Sequence, residues 1–246
     1  MVKLNTIVKF LNNELKIKSI KDESFNGLQV RASNEIERVG LSVDACMDVF
    51  EKAKKLRCDL IIIHHGIFWK KYKEYINLIK KKVSFLKKNK ISIYAAHLPL
   101  DKHFKYGNNS NLFRMLNIEP KELFGGVGYL GYFKKSRNID SIVKELENKL
   151  KTKCKVWKFG KTNIKRIAIV SGYGVSEISE AIKKKVDLLV VGEASHGSYL
   201  RAKDGKLSMI IAGHYKTETV GVKALGLLLE KKFNVKTAFI DNPTGM

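Results

Sequence analysis

Short apolar runs alternate with Lys-rich amphipathic stretches along most of the chain. From Ile36, the segment IERVGLSVDACMDVFEKAKKLRCDLIIIHHG reads as strand, turn, amphipathic helix and strand. From Ile164, IKRIAIVSGYGVSEISEAIKKKVDLLVVGEA repeats that pattern at an offset of 128 without a gap, placing Arg38 on Arg166, Ala53 on Ala181, Asp59 on Asp187 and Leu60 on Leu188. A second match sets Ile91 to Asp101 over Ser208 to Glu218, with His97 on His214 and Asp101 on Glu218. A third sets TIVKFLNNELK from Thr6 over SIVKELENKLK from Ser141. Three blocks in the same order predict an internal duplication. Each half is expected to run helix, strand, helix, strand, helix, strand, helix. The predicted fold is α/β, with two similar α/β lobes. The first covers 1-124 and carries His64, His65 and Asp101. The second covers 125-246 and carries Glu193, His214 and Glu218, the join falling near Gly125-Gly126-Val127-Gly128. Alternating strands and helices predict mainly parallel pairing, with ligands beyond the carboxyl ends of the strands.

Composition narrows the class. Apolar residues make up 44% of the 246 and charged ones 29%, enough for a real core and against wholesale disorder. Aliphatic runs such as Leu60 to Ile63 stop far short of the ~18 residues a membrane helix needs. Met1 leads into a mixed, Lys-containing helix and not into a signal sequence. Cys46, Cys58 and Cys154 are odd in number, and none forms a C-x-x-C pair. A cytoplasmic protein in a reducing compartment, without a membrane partner, is the expectation.

The net charge is +23. Such an excess attracts polyanions, DNA or RNA first. Compositional drift toward Lys explains it equally. Trp69, Tyr72 and Tyr75 interleave with Lys70, Lys71 and Lys73, a mixture suited to bases and phosphates. A solvated amphipathic helix gives the same pattern, Lys80 to Lys82 included.

The candidate chemistry sits at strand ends. His64 and His65 follow Asp59-Leu60-Ile61-Ile62-Ile63 and precede Gly66. Neighbours on a strand point to opposite faces, so two imidazoles there can serve two ligands or two metal ions. His97 and Asp101 follow the strand Ile91 to Ala96, and Pro99 predicts a loop there, not a helix face. His214 and Glu218 follow the apolar run Met209 to Ala212. Thr217 reads as the N-cap of a helix from Glu218 to Phe233, with Glu218 in its first turn. A carboxylate complementing the helix dipole accounts for Glu218, and a loop cap for Asp101, without any metal. Taken together, His64, His65, Asp101, His214 and Glu218 offer imidazole and carboxylate without thiolate. That suits Zn, Mn, Fe or Ni, and five ligands suit two ions that share a carboxylate.

Across essentially its whole length the chain resembles the GTP cyclohydrolase 1 type 2 family, the YbgI-like dinuclear metal proteins. The residues that carry the likeness are Asn26-Gly27-Leu28-Gln29-Val30, Asp59 through His64-His65-Gly66, His97-Leu98-Pro99-Leu100-Asp101, Asn108-Asn109, Ser171-Gly172-x-Gly174, Gly192-Glu193-x-x-His196 and His214-Tyr-Lys-x-Glu218. The resemblance implies that His64, His65, Asp101, His214 and Glu218 hold two divalent metal ions between two α/β lobes. It also implies a homohexameric ring.

Other polar residues receive lesser parts. His97 is expected behind the ligands, orienting Asp101 or a water, although a packed loop histidine explains it too. Glu193 and His196 are candidate general acids or bases. Ser171-Gly172-Tyr173-Gly174 could cradle an anion with backbone N–H groups, or simply make a tight turn. Two functions follow. One is a metal-dependent hydrolase with a nucleotide-like substrate, a metal-bridging hydroxide as nucleophile and, by resemblance, a cyclic amidine C–N bond as target. The other is a sequence-independent DNA- or RNA-binding ring in which the metals are structural or vestigial.

Overall fold

The computed structural model describes residues 1–71 and 75–245; Tyr72 and Lys73 of the aromatic–lysine segment lie outside the described residues. Along the chain the strands and helices are β1 (Val2–Lys3), α1 (Leu4–Glu14), β2 (Gly27–Val30), β3 (Glu35–Ile36), β4 (Arg38–Asp44), α2 (Met47–Lys55), β5 (Leu60–His65), α3 (Ile76–Lys88), β6 (Ser92–Ala95) and α4 (Leu98–Asp101). They continue with α5 (Asn108–Met115), β7 (Glu122–Phe124), β8 (Gly128–Asn138), α6 (Ile139–Leu150), β9 (Lys155–Trp157), β10 (Asn163–Val170), α7 (Ile178–Lys183), β11 (Leu188–Val191), α8 (His196–Asp204), β12 (Ser208–Ile211), α9 (His214–Phe233) and β13 (Lys236–Phe239). The fold is mixed α/β with two separate large sheets and a two-stranded antiparallel pair, β1 with β3. One compact unit comprises Met1–Leu100 with Gly221–Asn242, the other Asp101–Val220 with Pro243–Met246. These bounds differ from the halves 1-124 and 125-246, because β13 returns to pair with β4.

In the first unit the sheet order is β13-β4-β5-β6-β2, parallel except for β2. Period-2 alternation assigns each face its own core. Ile61, Ile63, Ile93 and Ala95 pack with Val49, Phe50 and Ala53 of α2 and with Leu86 of α3. Leu60, Ile62 and Tyr94 are buried on the other face, where the Tyr94 hydroxyl donates to Asn12 Oδ1 of α1 (3.0 Å). On α9, Gly226 approaches β4 so closely that a Cβ would lie 2.3 Å from Leu41 Cδ1.

The second unit orders its sheet β7-β8-β10-β11-β12-β9. Only β10, β11 and β12 pair in parallel there; β7, β8 and β9 are antiparallel. Mainly parallel pairing therefore holds for the first sheet and for the centre of the second, not for its flanks. A short connection accounts for β7 against β8 alone, since an antiparallel hairpin needs no crossover. Gly125 and Gly126, both at positive φ, turn the hairpin between β7 and β8, so the Gly-rich stretch is a turn inside this unit. Here too the strands split their side chains between two cores. Ile167, Ile169, Leu188, Val190 and Ile210 pack with α5 and α6, while Ala168, Val170, Leu189, Val191 and Met209 pack toward α7 and α8.

The two sheets use the same polar devices. Before β5, Asp59 Oδ2 accepts the N–H groups of Glu37 and Arg38; before β11, Asp187 Oδ2 accepts those of Lys165 and Arg166. In β6, Ser92 Oγ accepts the N–H of Ala32; in β12, Ser208 Oγ accepts that of Gly160. Ser92 pairs with Leu60, and Ser208 with Leu188. From Leu60 to Leu188 the offset is 128, and from Ser92 to Ser208 it is 116. Taken at that second offset, His97 falls on Gly213, one residue before His214.

Burial works against ionisation of Asp187, but Lys161 and the two backbone donors outweigh it and hold the carboxyl below its ordinary range. Its contribution to stability is therefore present above about pH 4 and fades as pH falls further. Asp187→Ala is expected to cost about 1 kcal/mol in urea unfolding at neutral pH, because two part-buried N–H groups lose their acceptor. Lys161→Ala, at a side chain 72% exposed, should cost less than about 1 kcal/mol.

Candidate metal centre

In the first unit, three histidines gather at strand ends. His64 is fully buried, and its Nδ1 lies 2.8 Å from the Ala96 carbonyl oxygen. Asp44, paired with His65 in the β4–β5 register, places Oδ1 at 2.8 Å from His65 Nδ1. Beyond β6, the His97 N–H donates to Asn26 Oδ1 (2.7 Å), and His97 Nδ1 lies 2.9 Å from Asp22 Oδ1. Each Nδ1 faces an oxygen that can only accept, so each carries its proton there and Nε2 is the ring atom with a lone pair to offer. Ligand atoms of His64, His65 and His97 lie within 4.8 Å of one another.

The segments that bear these rings are held by the Asn26–Val30 motif. Gln29 Oε1 accepts the Ile67 N–H (2.7 Å), and Gln29 Nε2 donates to the Phe25 carbonyl. A Cβ on Gly66 would fall 2.2 Å from Gln29 Nε2, which explains the glycine after the histidine pair. Trp69 donates its indole N–H to the Gly66 carbonyl (2.8 Å) and meets His97 edge-on. Burial disfavours the Asp22 carboxylate, yet His97, Asn26 and the Ser24 N–H hold it well below the usual carboxylate range.

In the second unit, Asp101 is the last residue of α4, a one-turn helix and not the expected loop. Pro99 is tolerated there because the first turn has no N–H partner to lose. Asp101 Oδ1 accepts from Asn108 Nδ2 (2.8 Å) and from Ser171 Oγ (3.0 Å). His214 opens α9, so it and Glu218 stand one turn apart on the same face, with Nε2 3.2 Å from Oε2. Thr217 is not the N-cap. Its N–H donates to the Gly213 carbonyl and its Oγ1 to the Gly213 and His214 carbonyls, so the helix starts four residues earlier than expected. Glu193 Oε2 lies 2.7 Å from His214 Nδ1. Burial opposes the charged ring of His214, but Glu218 and then Glu193 outweigh it and raise its pKa to about 9.

Glycines make room for these side chains. Gly172 has φ +61°, and a Cβ there would lie 2.2 Å from Glu218 Oε1 and 3.1 Å from His214 Nε2. Its carbonyl accepts the N–H groups of Gly174, Gly192 and Glu193. The N–H groups of Ser171, Gly172 and Gly174 go to Asn109 Oδ1, Thr217 Oγ1 and the Gly172 carbonyl. Three of the turn's four N–H groups are therefore already committed within the protein. His196 opens α8, exposed, and lines a cleft with Trp157, Tyr199 and Lys155. It belongs to none of the donor clusters among the described residues.

The donor set fits a divalent cation. Asp101 and Glu218 are 5% and 3% exposed, and their carboxylate oxygens lie within 4.8 Å of each other. Two carboxylates so buried call for positive charge beside them. A carboxylate behind the far nitrogen of a ligating imidazole is the usual outer support of a metal site, and here His65 and His214 both have one. Asp22 and Asp44 escaped the sequence reading. Asp22 lies outside the matched sequence blocks, and Asp44 falls on Gly172 at the 128 offset. Two of the thiols stay out of this chemistry: burial pushes Cys58 and Cys154 up to about 11.

Among the described residues, no helix is long and apolar enough to cross a membrane. The chain is 45% identical to a Pyrococcus abyssi protein named GTP cyclohydrolase 1 type 2 homolog, over 98% of both chains. It superposes on the crystal structure of TTHA1606 from Thermus thermophilus with a TM-score of 0.93, 33% identity and full coverage of both chains. Protein ybgI, a structural-genomics target of unknown function, gives a TM-score of 0.94 at 29% identity, again over 100% of each chain. Matched over residues 2–245, this chain belongs to the Duf34/NIF3 (NGG1p interacting factor 3) family.

Proposed function

We propose that this protein is a metal-dependent hydrolase whose metal ligands are His64 and His65 in the first unit and Asp101, His214 and Glu218 in the second, a donor set suited to two divalent ions. The observation that carries this reading is the common setting of the imidazoles: Nδ1 of His64, His65 and His214 faces an oxygen acceptor, which turns Nε2 toward ligand duty once His214 gives up its second proton. Zinc, manganese, iron or nickel in such a nitrogen and oxygen set supplies Lewis acidity and acidifies bound water. Asp101 and Glu218 balance that charge, and Glu218 is suited to bridging. Glu193 keeps the His214 proton on Nδ1, so its part is to orient the ligand, while His97 is the better placed of the acid–base candidates. The name carried by the Pyrococcus abyssi relative supports a nucleotide substrate, hydrolysed at a C–N bond of its cyclic amidine. A homohexameric ring is the assembly we infer from the family resemblance.

A second reading is favoured by the charge of +23. Backbone-directed binding of DNA or RNA would use such a surface, through exposed lysines such as Lys70, Lys71 and Lys80.

Protein purified without chelator is expected to carry two transition-metal ions per chain by elemental analysis, with Glu218→Ala losing more metal than His65→Ala. Without metal, His214 stays protonated up to about pH 9. Metal must therefore displace that proton, and the apparent affinity should fall by about tenfold per pH unit below that value from this group alone. Calorimetry in buffers of different ionisation enthalpy measures the released proton. Hydrolysis of a nucleotide panel should require added Mn, Zn, Fe or Ni and vanish alike in His64→Ala, Asp101→Ala and His214→Ala. For the second reading, affinity for duplex DNA should fall steeply with salt, by about 0.9 log unit per log unit of salt for each phosphate contacted. Charge reversal at Lys70 and Lys71 should flatten that slope without altering metal content, as a filter-binding titration would show.

A further inference from the structure

The cleft at the start of α8 lies wholly within the second unit and has a volume of about 400 Å³. One wall comes from β9, which pairs antiparallel with β12 and sets Lys155 against Ile211 and Trp157 against Met209. Two residues apart on one strand, Lys155 and Trp157 share a face, and the Lys155 ammonium stands 5.9 Å from the centre of the indole. Tyr199 of α8 supplies the second wall. Its ring crosses that of Trp157 at 85° with centroids 5.1 Å apart, so the two walls make an aromatic corner. Tyr199 and Leu200 keep 36% and 47% of their surface exposed. Trp157 is 6% exposed, and its indole N–H has no acceptor among the described residues. Buried indoles usually pair that group, so this wall is short of one oxygen partner.

The lining selects the ligand. Its carbon-rich part suits a flat ring that stacks on one aromatic face and meets the other edge-on. Lys155 and His196 line the cleft and no carboxylate does. Glu193, close by in sequence, is engaged with His214. The first two N–H groups of α8, those of His196 and Gly197, have no acceptor inside the helix, and the Ser195 cap serves the Ser198 N–H instead. A Cβ on Gly197 would meet nothing within 4 Å, so this helix end is open. Such donors, with the helix dipole behind them, favour an anion. We propose that the cleft binds a nucleobase-type ring carrying a phosphate, the ring against Trp157 and Tyr199 and the phosphate against Lys155, His196 and the start of α8. The proposal does not rest on the metal-centre reading, since none of these residues is one of the proposed ligands.

The test uses the full chain as purified, titrated with adenosine 5′-monophosphate and followed by calorimetry and tryptophan fluorescence. Adenosine and inorganic phosphate are titrated alongside. The monophosphate is expected to bind at least about tenfold more tightly than either, because each carries only half of what the cleft recognises. Tyr199→Ala should weaken it by about 5–100-fold, the range for one lost stacking partner. Gly197→Asp should abolish it, since the carboxylate takes the place of the phosphate. That same carboxylate favours the helix start, so a folding defect would not explain the loss. Trp157 is one of two indoles in the chain, and quenching should disappear in Trp157→Phe. If quenching survives there, Trp69 is the reporter and the cleft is not the site. Excess chelator should leave the binding intact. If chelator abolishes it while Tyr199→Ala and Gly197→Asp do not, the nucleotide sits on metal, this inference is overturned and the metal centre stands. Monophosphate binding no tighter than that of phosphate alone also overturns it.

Discussion

A neutral imidazole has one proton and two nitrogens, and the environment of the first nitrogen decides what the second can do. The candidate centre depends on that constraint. The Ala96 carbonyl, Asp44, Asp22 and Glu193 each face the Nδ1 of a different histidine. Three of the four are carboxylates, which also raise the basicity of the ring they hold. Much of the surrounding architecture serves to place these oxygens. The register of β4 against β5 sets Asp44 opposite His65, and the strand end after β6 brings the Ala96 carbonyl to His64.

The histidine pair, the carboxylates and the strands that carry them were legible because their signal is local. An apolar run that ends in polar residues marks a strand end in any context. The tandem His64-His65 after Ile63 needed nothing more. Non-local facts were hidden. The one-turn helix at Leu98–Asp101 and the start of α9 at His214 were misjudged because Pro99 and Thr217 carry strong local preferences. Tertiary hydrogen bonds overrode both: Thr217 faces inward to receive the Gly172 N–H. Asp22 could not have been found at all. It lies in an irregular polar stretch 75 residues from the histidine it faces, and no periodicity marks such a residue.

The flanks of the sheets followed the same logic. Central strands β5, β6, β11, β12 and the second half of β10 show continuous apolar runs, as buried parallel strands do, while β4 is broken by Gly40 and Ser42. Edge strands such as β2 and β9 are short and mixed in character, so their direction came only from the fold. Asp59 and Asp187 stand at equivalent places before β5 and β11, each capping two N–H groups of the neighbouring strand. Their alignment in the sequence was a structural signal, not a catalytic one.

Cys58 and Cys154 remain as thiols at neutral pH, since burial and not a cation governs them. That has a consequence for how metal reaches the protein. Thiolates are soft and capture copper(I) and similar ions tightly, whereas nitrogen and oxygen donors hold the harder divalent ions. With these two sulfurs kept protonated, thiophilic ions find little here to retain them. Oxidation at these two sulfurs would leave the donor set untouched, because no thiol belongs to it.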